Sequence, residues 1–331
     1  MSGGPGGGPI FIGGPDRCGK TLVAALLGSH SRIAIPAVGS NLWTLFYGRF
    51  GDLADDANLD RCLAELMAYK HIRFLEPDAA RLRRDLVAGD RTYARLFALI
   101  QEQHAERLGK PRWGDQTGLV EGFADEIFAA YPDVRMIHMV RDPRDRYDAS
   151  LSLWPEGRLR AGGATGRWLY SIRLAERNAA RYGERYRIQR YESLVADPLS
   201  TVRELCEFVG EAFEPAMMEM GAMPSYRAKL EAGNPDRDPA ASPISDAFVG
   251  SYRGRLAPSE LAFMQSAAGS VMARYGYELD QVPMDRWSSL RYAILEWPLN
   301  AARLAAWRMR TWLARSIPRL AGRQPPRRHV A

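Results

Sequence analysis

Three cysteines in 331 residues, Cys18, Cys62 and Cys206, are too few and too scattered for a disulfide framework or a clustered metal site. Long apolar runs are missing as well: nothing approaches the roughly eighteen uncharged apolar residues of a membrane-spanning helix. The opening Met-Ser-Gly-Gly-Pro-Gly-Gly-Gly-Pro carries neither the basic nor the apolar segment of a secretory signal. Residues 1–8 are therefore expected to be a flexible lead-in, and the chain to be a soluble, cytoplasmic protein. A basic core is absent too, despite a net charge of +6 and a pI near 9.3. From Arg286 to Ala331 there are ten arginines against one acidic residue, Glu296. The surplus belongs to that tail, so the pI does not imply a core that binds nucleic acid.

What is present is ordinary globular composition, 46% hydrophobic and 25% charged, enough for a packed core. Residues 9–13 are an apolar run ending on glycine, and Thr21 to Gly28 reads as a helix closed by that glycine. Strand, loop and helix in that order open an α/β domain. Residues 58–108 carry helical spacing. Val134–Val140 reads as a buried parallel strand preceded by a helix over Leu119–Ala130. Arg185–Tyr191 reads as a strand with one exposed face, residues 199–209 as a helix, and Pro258 as the start of another. The segment 233–245 is a polar, proline-rich loop able to close over a site. The expectation is a central, mainly parallel sheet flanked by helices, with ligand at the carboxyl ends of the strands. A domain over residues 9–283 and a basic helical tail over 284–331 complete it.

The loop Gly14-Pro-Asp-Arg-Cys-Gly19-Lys20-Thr21 satisfies the pattern G-x-x-x-x-G-K-[ST]. Glycines let backbone N–H groups converge on phosphate oxygens, the helix amino end adds partial positive charge, and Lys20 adds a full one. A nucleoside triphosphate is one ligand that suits it, since Arg141-Asp142 could close a strand with a magnesium-binding carboxylate. That leaves a P-loop kinase or nucleotide hydrolase open.

The wider segment Phe11–Leu22 resembles the 5′-phosphosulfate loop of sulfotransferases that use 3′-phosphoadenosine 5′-phosphosulfate, PAPS. The family's Arg-Ser-Gly-Thr-Thr-Leu stands here as Arg17-Cys18-Gly19-Lys20-Thr21-Leu22. Ile137–Asp145 followed by Ser150 resembles the 3′-phosphate segment, with Ser150 one residue later than in the family pattern. Arg190–Pro198 with Leu205–Gly210, and then Gly250–Leu261, resemble two further blocks in the family's order. The resemblance covers residues 9–280. It implies a P-loop-like sulfotransferase fold and a donor held by Gly14, Arg17, Cys18, Gly19, Lys20, Thr21, Leu22, Arg141, Ser150, Arg253 and Arg255. The product would be adenosine 3′,5′-bisphosphate, the acceptor a hydroxyl on a small molecule, glycan or lipid, and no metal is needed.

Lys20 is the group expected to neutralise the leaving charge. The family's glutamate after an Ile-Pro-Pro-like segment is missing from Ile35–Asn41, and its lysine is missing from Gly114-Asp115-Gln116-Thr117-Gly118. Asp115 is the remaining candidate base, with Glu121 behind it. The two losses also leave open an inactive nucleotide-binding scaffold. Residues 286–328 interleave arginine with Trp287, Trp297, Trp307 and Trp312. Docking on the chain's own domain, self-association and peripheral contact with an anionic membrane all suit that pattern, with nucleic acid the least favoured.

Overall fold

The computed structural model describes residues 7–151, 160–232 and 244–316. Most of the expected lead-in, most of the proline-rich segment 233–245 and the end of the tail lie outside the described residues. In chain order the elements begin with β1 (Ile10–Gly13), α1 (Lys20–Gly28), β2 (Ile33–Ala34), α2 (Asp56–Ala68), α3 (Lys70–Arg73), α4 (Ala79–Val87) and α5 (Tyr93–Arg107). There follow β3 (Arg112–Gln116), α6 (Ala124–Ala130), β4 (Arg135–Val140), α7 (Pro143–Leu151), α8 (Arg160–Tyr182) and β5 (Tyr186–Arg190). The last are α9 (Tyr191–Ala196), α10 (Pro198–Val209), α11 (Pro224–Ala232), α12 (Pro258–Arg274), α13 (Arg286–Arg291) and α14 (Trp297–Ser316).

The chain divides into two compact units. The first comprises Met1–Gly14, Gly19–Met139 and Arg177–Ser245; the second comprises Pro15–Cys18, Val140–Glu176 and Asp246–Ala331. The basic tail thus belongs to the second unit, because its described helices pack there.

The first unit is built on a five-stranded sheet in the order β2-β3-β1-β4-β5. β1 pairs in parallel with both β3 and β4, setting Phe11 opposite Asp115 and Met136, and β2 pairs in parallel with β3. All four β1 residues are buried, as a central strand covered on both faces requires. The expected α/β architecture is therefore the observed one. Phe11, Trp43, Phe97, Ile127 and Met136 belong to one continuous core. Asp55, Asp78, Thr92 and Asp197 cap α2, α4, α5 and α10 by accepting backbone N–H bonds.

Two boundaries differ from the sequence pattern. The helix expected from Leu119 starts only at Ala124; Leu119 has φ +63° and a 3-10 turn spans Val120–Phe123. That irregular turn delivers Glu121 to the interior. Tyr191 is not the end of β5 but the first residue of α9.

The second unit packs α7, most of α8 and the helices from α12 onward. Tyr147, Ala161, Ala164, Tyr252, Leu256, Phe263 and Met264 form its buried cluster, with Tyr292 and Leu304 against it.

Candidate active site

In the first unit β1 runs into the glycine-rich loop and α1 leaves it. Gly14 and Gly19 have φ of +114° and +94°, and Arg17 between them has φ +62°. A Cβ on Gly19 would lie 2.6 Å from Tyr191 Cδ2, so the loop is closed to side chains at that point. No side chain caps the amino end of α1, and its first turn holds no acidic residue. Its leading N–H dipoles are thus left for an anion. Lys20 Nζ donates to Gly14 O at 3.1 Å, holding the ammonium back over the loop. Thr21 is half-buried and Leu22 packs into the interior.

Behind the loop lies a buried network that composition alone could not reveal. Glu121 Oε2 accepts the Gly14 N–H at 2.9 Å, and a Cβ on Gly13 would lie 2.8 Å from that same oxygen. Glu121 O accepts from Asn178 Nδ2 at 2.9 Å; Glu121 Oε1 lies 3.8 Å from His138 Nε2. His138 Nδ1 is 2.5 Å from Tyr186 OH. Burial pushes the His138 pKa down, opposed by the Glu121 carboxylate and reinforced by the Lys20 ammonium. Glu121 thereby fixes the first turn of the loop.

Asp115 closes β3 and is almost fully buried. Its carboxylate accepts from Ser40 N at 3.1 Å, Ser40 Oγ at 2.6 Å and Thr117 Oγ1 at 3.0 Å. Burial raises its pKa against the pull of these bonds. Three of its roughly four acceptor positions are thus spent within the protein, which is the work of an anchor. The carboxylate ties the segment after β2 to the end of β3. Next to it, His71 Nδ1 lies 2.7 Å from Gly39 O, and Asn41 Nδ2 is 2.9 Å from Tyr69 OH. A carbonyl can only accept, so the short contact to Gly39 O puts a proton on Nδ1, and Asn41 Nδ2 lies 3.1 Å from the same nitrogen. Sequence reasoning missed His71 because it sits in a helical stretch with no motif around it.

The second unit holds the remaining predicted residues. Arg141 directs Nη1 to Arg17 O at 3.2 Å and Nη2 to Phe248 O at 2.6 Å, while its own carbonyl accepts from Trp168 Nε1 at 3.0 Å. Arg17 Nε is buried without a hydrogen-bond partner, and so is the Nε of Arg146, a side chain nearly fully buried. Burial pushes the Arg146 pKa down to about 10, with Asp16 opposing and Arg167 and Arg141 assisting. A concentration of guanidinium groups with orphaned donors suits an anion. Cys18 Sγ lies 2.8 Å from Pro15 O and closes the loop locally. Ser150 Oγ donates to Tyr147 O at 2.7 Å.

The rest of the Arg-Asp-Pro-Arg-Asp segment is scaffolding. Asp142 accepts from Arg144 N at 2.8 Å and pairs with its guanidinium; Arg144 also reaches Asp280 Oδ2 at 2.9 Å. Asp145 accepts from Gly250 N at 2.8 Å and Tyr252 N at 3.1 Å, fixing the turn that presents Arg253 and Arg255. Those two arginines are exposed and paired with Asp280 and Asp148, each at 3.2 Å.

A family model described as a sulfotransferase family matches residues 9–215. The chain belongs to the sulfotransferase family. Solved structures agree on the fold. The sulfotransferase domain of the olefin synthase from Synechococcus PCC 7002 is 18% identical with a TM-score of 0.53, covering 85% of this chain and 99% of that domain. The sulfotransferase domain of the curacin biosynthetic pathway is 19% identical with a TM-score of 0.52, covering 83% and 99%. Among curated proteins none matches the sequence. Of the residues described above, the loop, Glu121, Asp115, Arg141 and Arg146 lie within the matched stretch, and Arg253 and Arg255 lie beyond it. Among the described residues no helix is long and apolar enough to cross a membrane.

Proposed function

We propose that the protein transfers a sulfuryl group from PAPS to a hydroxyl of a small-molecule, glycan or lipid acceptor. The observation that carries this reading is the uncapped amino end of α1 behind a left-handed Gly19, with Lys20 folded over the loop. Bound there, the donor supplies an activated sulfuryl group on a phosphate leaving oxygen. Gly14, Gly19, Lys20, Thr21 and Leu22 are assigned to the 5′-phosphosulfate, with Arg17 and Cys18 shaping the loop. The orphaned Arg17 Nε is a donor awaiting an anion. Arg141 and Ser150 are assigned to the 3′-phosphate, and Arg253 and Arg255 to the returning segment. Arg141 would exchange its bond to a carbonyl for a charge-assisted one, and Ser150 would turn its hydroxyl from the Tyr147 carbonyl.

Lys20 neutralises charge as it develops on the leaving oxygen. Asp115 is reassigned from base to anchor, because its lone pairs already serve Ser40 and Thr117. Acceptance of the acceptor's proton is assigned to His71 Nε2. This imidazole is oriented by Gly39 O on the segment that follows β2, at the carboxyl edge from which the glycine loop also leaves β1. No metal enters the reaction.

Calorimetric titration with adenosine 3′,5′-bisphosphate, 5′-AMP and ATP–magnesium tests the reading. Bisphosphate binding at least about tenfold tighter than 5′-AMP, ~1.4 kcal/mol, is the expected result. Tight ATP–magnesium binding indifferent to a 3′-phosphate would instead favour a kinase or hydrolase, the reading that the Lys20-Thr21 ending alone would suggest. Bisphosphate binding with no turnover of any acceptor would leave a donor-binding scaffold.

A further inference from the structure

The last described helices of the second unit have two apolar faces and only one of them is covered. α13, the π-helical turn Tyr292–Glu296 and α14 follow one another without a break. Their inner side carries Tyr292, Ala301 and Leu304 against the buried cluster. Asn300 Oδ1 accepts the Gly162 N–H at 3.1 Å, where a Cβ on Gly162 would lie 2.0 Å from Asn300 O. Trp307 meets Tyr170 edge-on at 5.2 Å. These contacts hold the segment against α8.

The outer side presents exposed apolar side chains among the described residues. Trp287 is 81% exposed, Ile294 68% and Trp312 60%, and Leu290, Leu295 and Met309 are exposed with them. In water this costs roughly 25 cal/mol for each Å² of apolar surface left uncovered, and contiguous apolar surface of this kind marks an interaction site. Arg286, Arg291, Arg308 and Arg310 stand among these residues and are exposed as well. Glu296 is the segment's single acidic residue and is already paired with Arg291 at 2.6 Å.

We propose that this outer face docks in the plane of an anionic phospholipid bilayer. Trp287, Ile294, Met309 and Trp312 enter the headgroup–acyl boundary, and the arginines meet lipid phosphates. Charge decides among the occupants. A two-fold contact between copies would set the same arginine-rich surface against itself. A nucleic acid would satisfy the arginines but leave Leu290, Ile294, Leu295 and Met309 without an apolar partner. A bilayer supplies both the phosphates and the apolar medium. The proposal stands independently of the donor chemistry.

The test is co-sedimentation of the full chain with vesicles of phosphatidylcholine alone and of phosphatidylcholine mixed with phosphatidylglycerol. Binding to the anionic vesicles, at least about tenfold weaker on neutral ones and reduced by salt, is expected. The variant Trp287→Ser/Ile294→Gln/Trp312→Ser should bind anionic vesicles at least about tenfold more weakly. Its far-ultraviolet circular dichroism and bisphosphate affinity should stay unchanged, because these side chains face solvent. Equal vesicle binding by wild type and variant, or none by wild type, would overturn the proposal. So would a dimer, seen by light scattering, that the variant dissociates.

Discussion

Replacing Gly19 by alanine perturbs two separable contributions in the glycine-rich loop between β1 and α1. The backbone there has φ +94°, a region that costs an L-residue about 1–2 kcal/mol. The new methyl would lie 2.6 Å from Tyr191 Cδ2, and the Tyr191 ring is buried, so relief requires shifts worth about 1–3 kcal/mol. Together they predict a loss of about 2–5 kcal/mol, measured as the change in unfolding free energy by urea denaturation. Tyr191→Ala separates the two. It removes the ring carbon that the methyl strikes and leaves the backbone penalty in place. In the double-mutant cycle the Gly19→Ala cost in the Tyr191→Ala background should therefore shrink by about 1–3 kcal/mol. Bisphosphate affinity should not recover in the double variant, since the left-handed turn remains strained. A Gly19→Ala protein as stable as wild type would refute the reasoning, as would a cost identical in both backgrounds.

The other predictions concern single groups. Lys20→Ala should lower turnover far more than bisphosphate affinity in a steady-state sulfuryl-transfer assay, because its charge matters most when the leaving oxygen becomes negative. Arg141→Ala should abolish the calorimetric preference for adenosine 3′,5′-bisphosphate over 5′-AMP, a loss of at least about tenfold. Asp115→Asn should lower stability by about 1–3 kcal/mol, and reduced turnover at unchanged stability would restore its role as base. His104 is buried and lies beside the Arg107 cation, which together push its pKa from the ordinary 6.5 to about 4. The unfolded chain then takes up that proton first, so stability falls as pH drops from about 6.5 towards 4, by up to roughly 3 kcal/mol. His104→Gln should flatten that part of the stability profile.

Local chemistry wrote much of the fold in readable form. The apolar run before Gly13, the glycines of the loop and the helix after Lys20 appear where the spacing places them, because each depends on neighbours within a few residues. The end of β4 was legible for the same reason: Val140 is its last residue, just before the charged pair and the proline that opens α7. The concentration of arginine and tryptophan in the tail was legible too, but not the allegiance of its described helices to the second unit, which rests on Gly162, Asn300, Tyr170 and Trp307, far apart in the chain.

By itself the sequence determined a strand–loop–helix unit with glycines at its turns, the resemblance to the family, and the concentration of arginine at the carboxyl end. Those are matters of residue type and short spacing. Tertiary structure alone decided that Glu121 grips the Gly14 amide, that Asp115 is consumed by Ser40 and Thr117, and that His71 is oriented by the Gly39 carbonyl. The physical reason is that a carboxylate or imidazole takes its role from the donors and acceptors the fold brings to it. Parallel pairing of β1 with β3 and β4 gathers those partners from segments far apart in sequence.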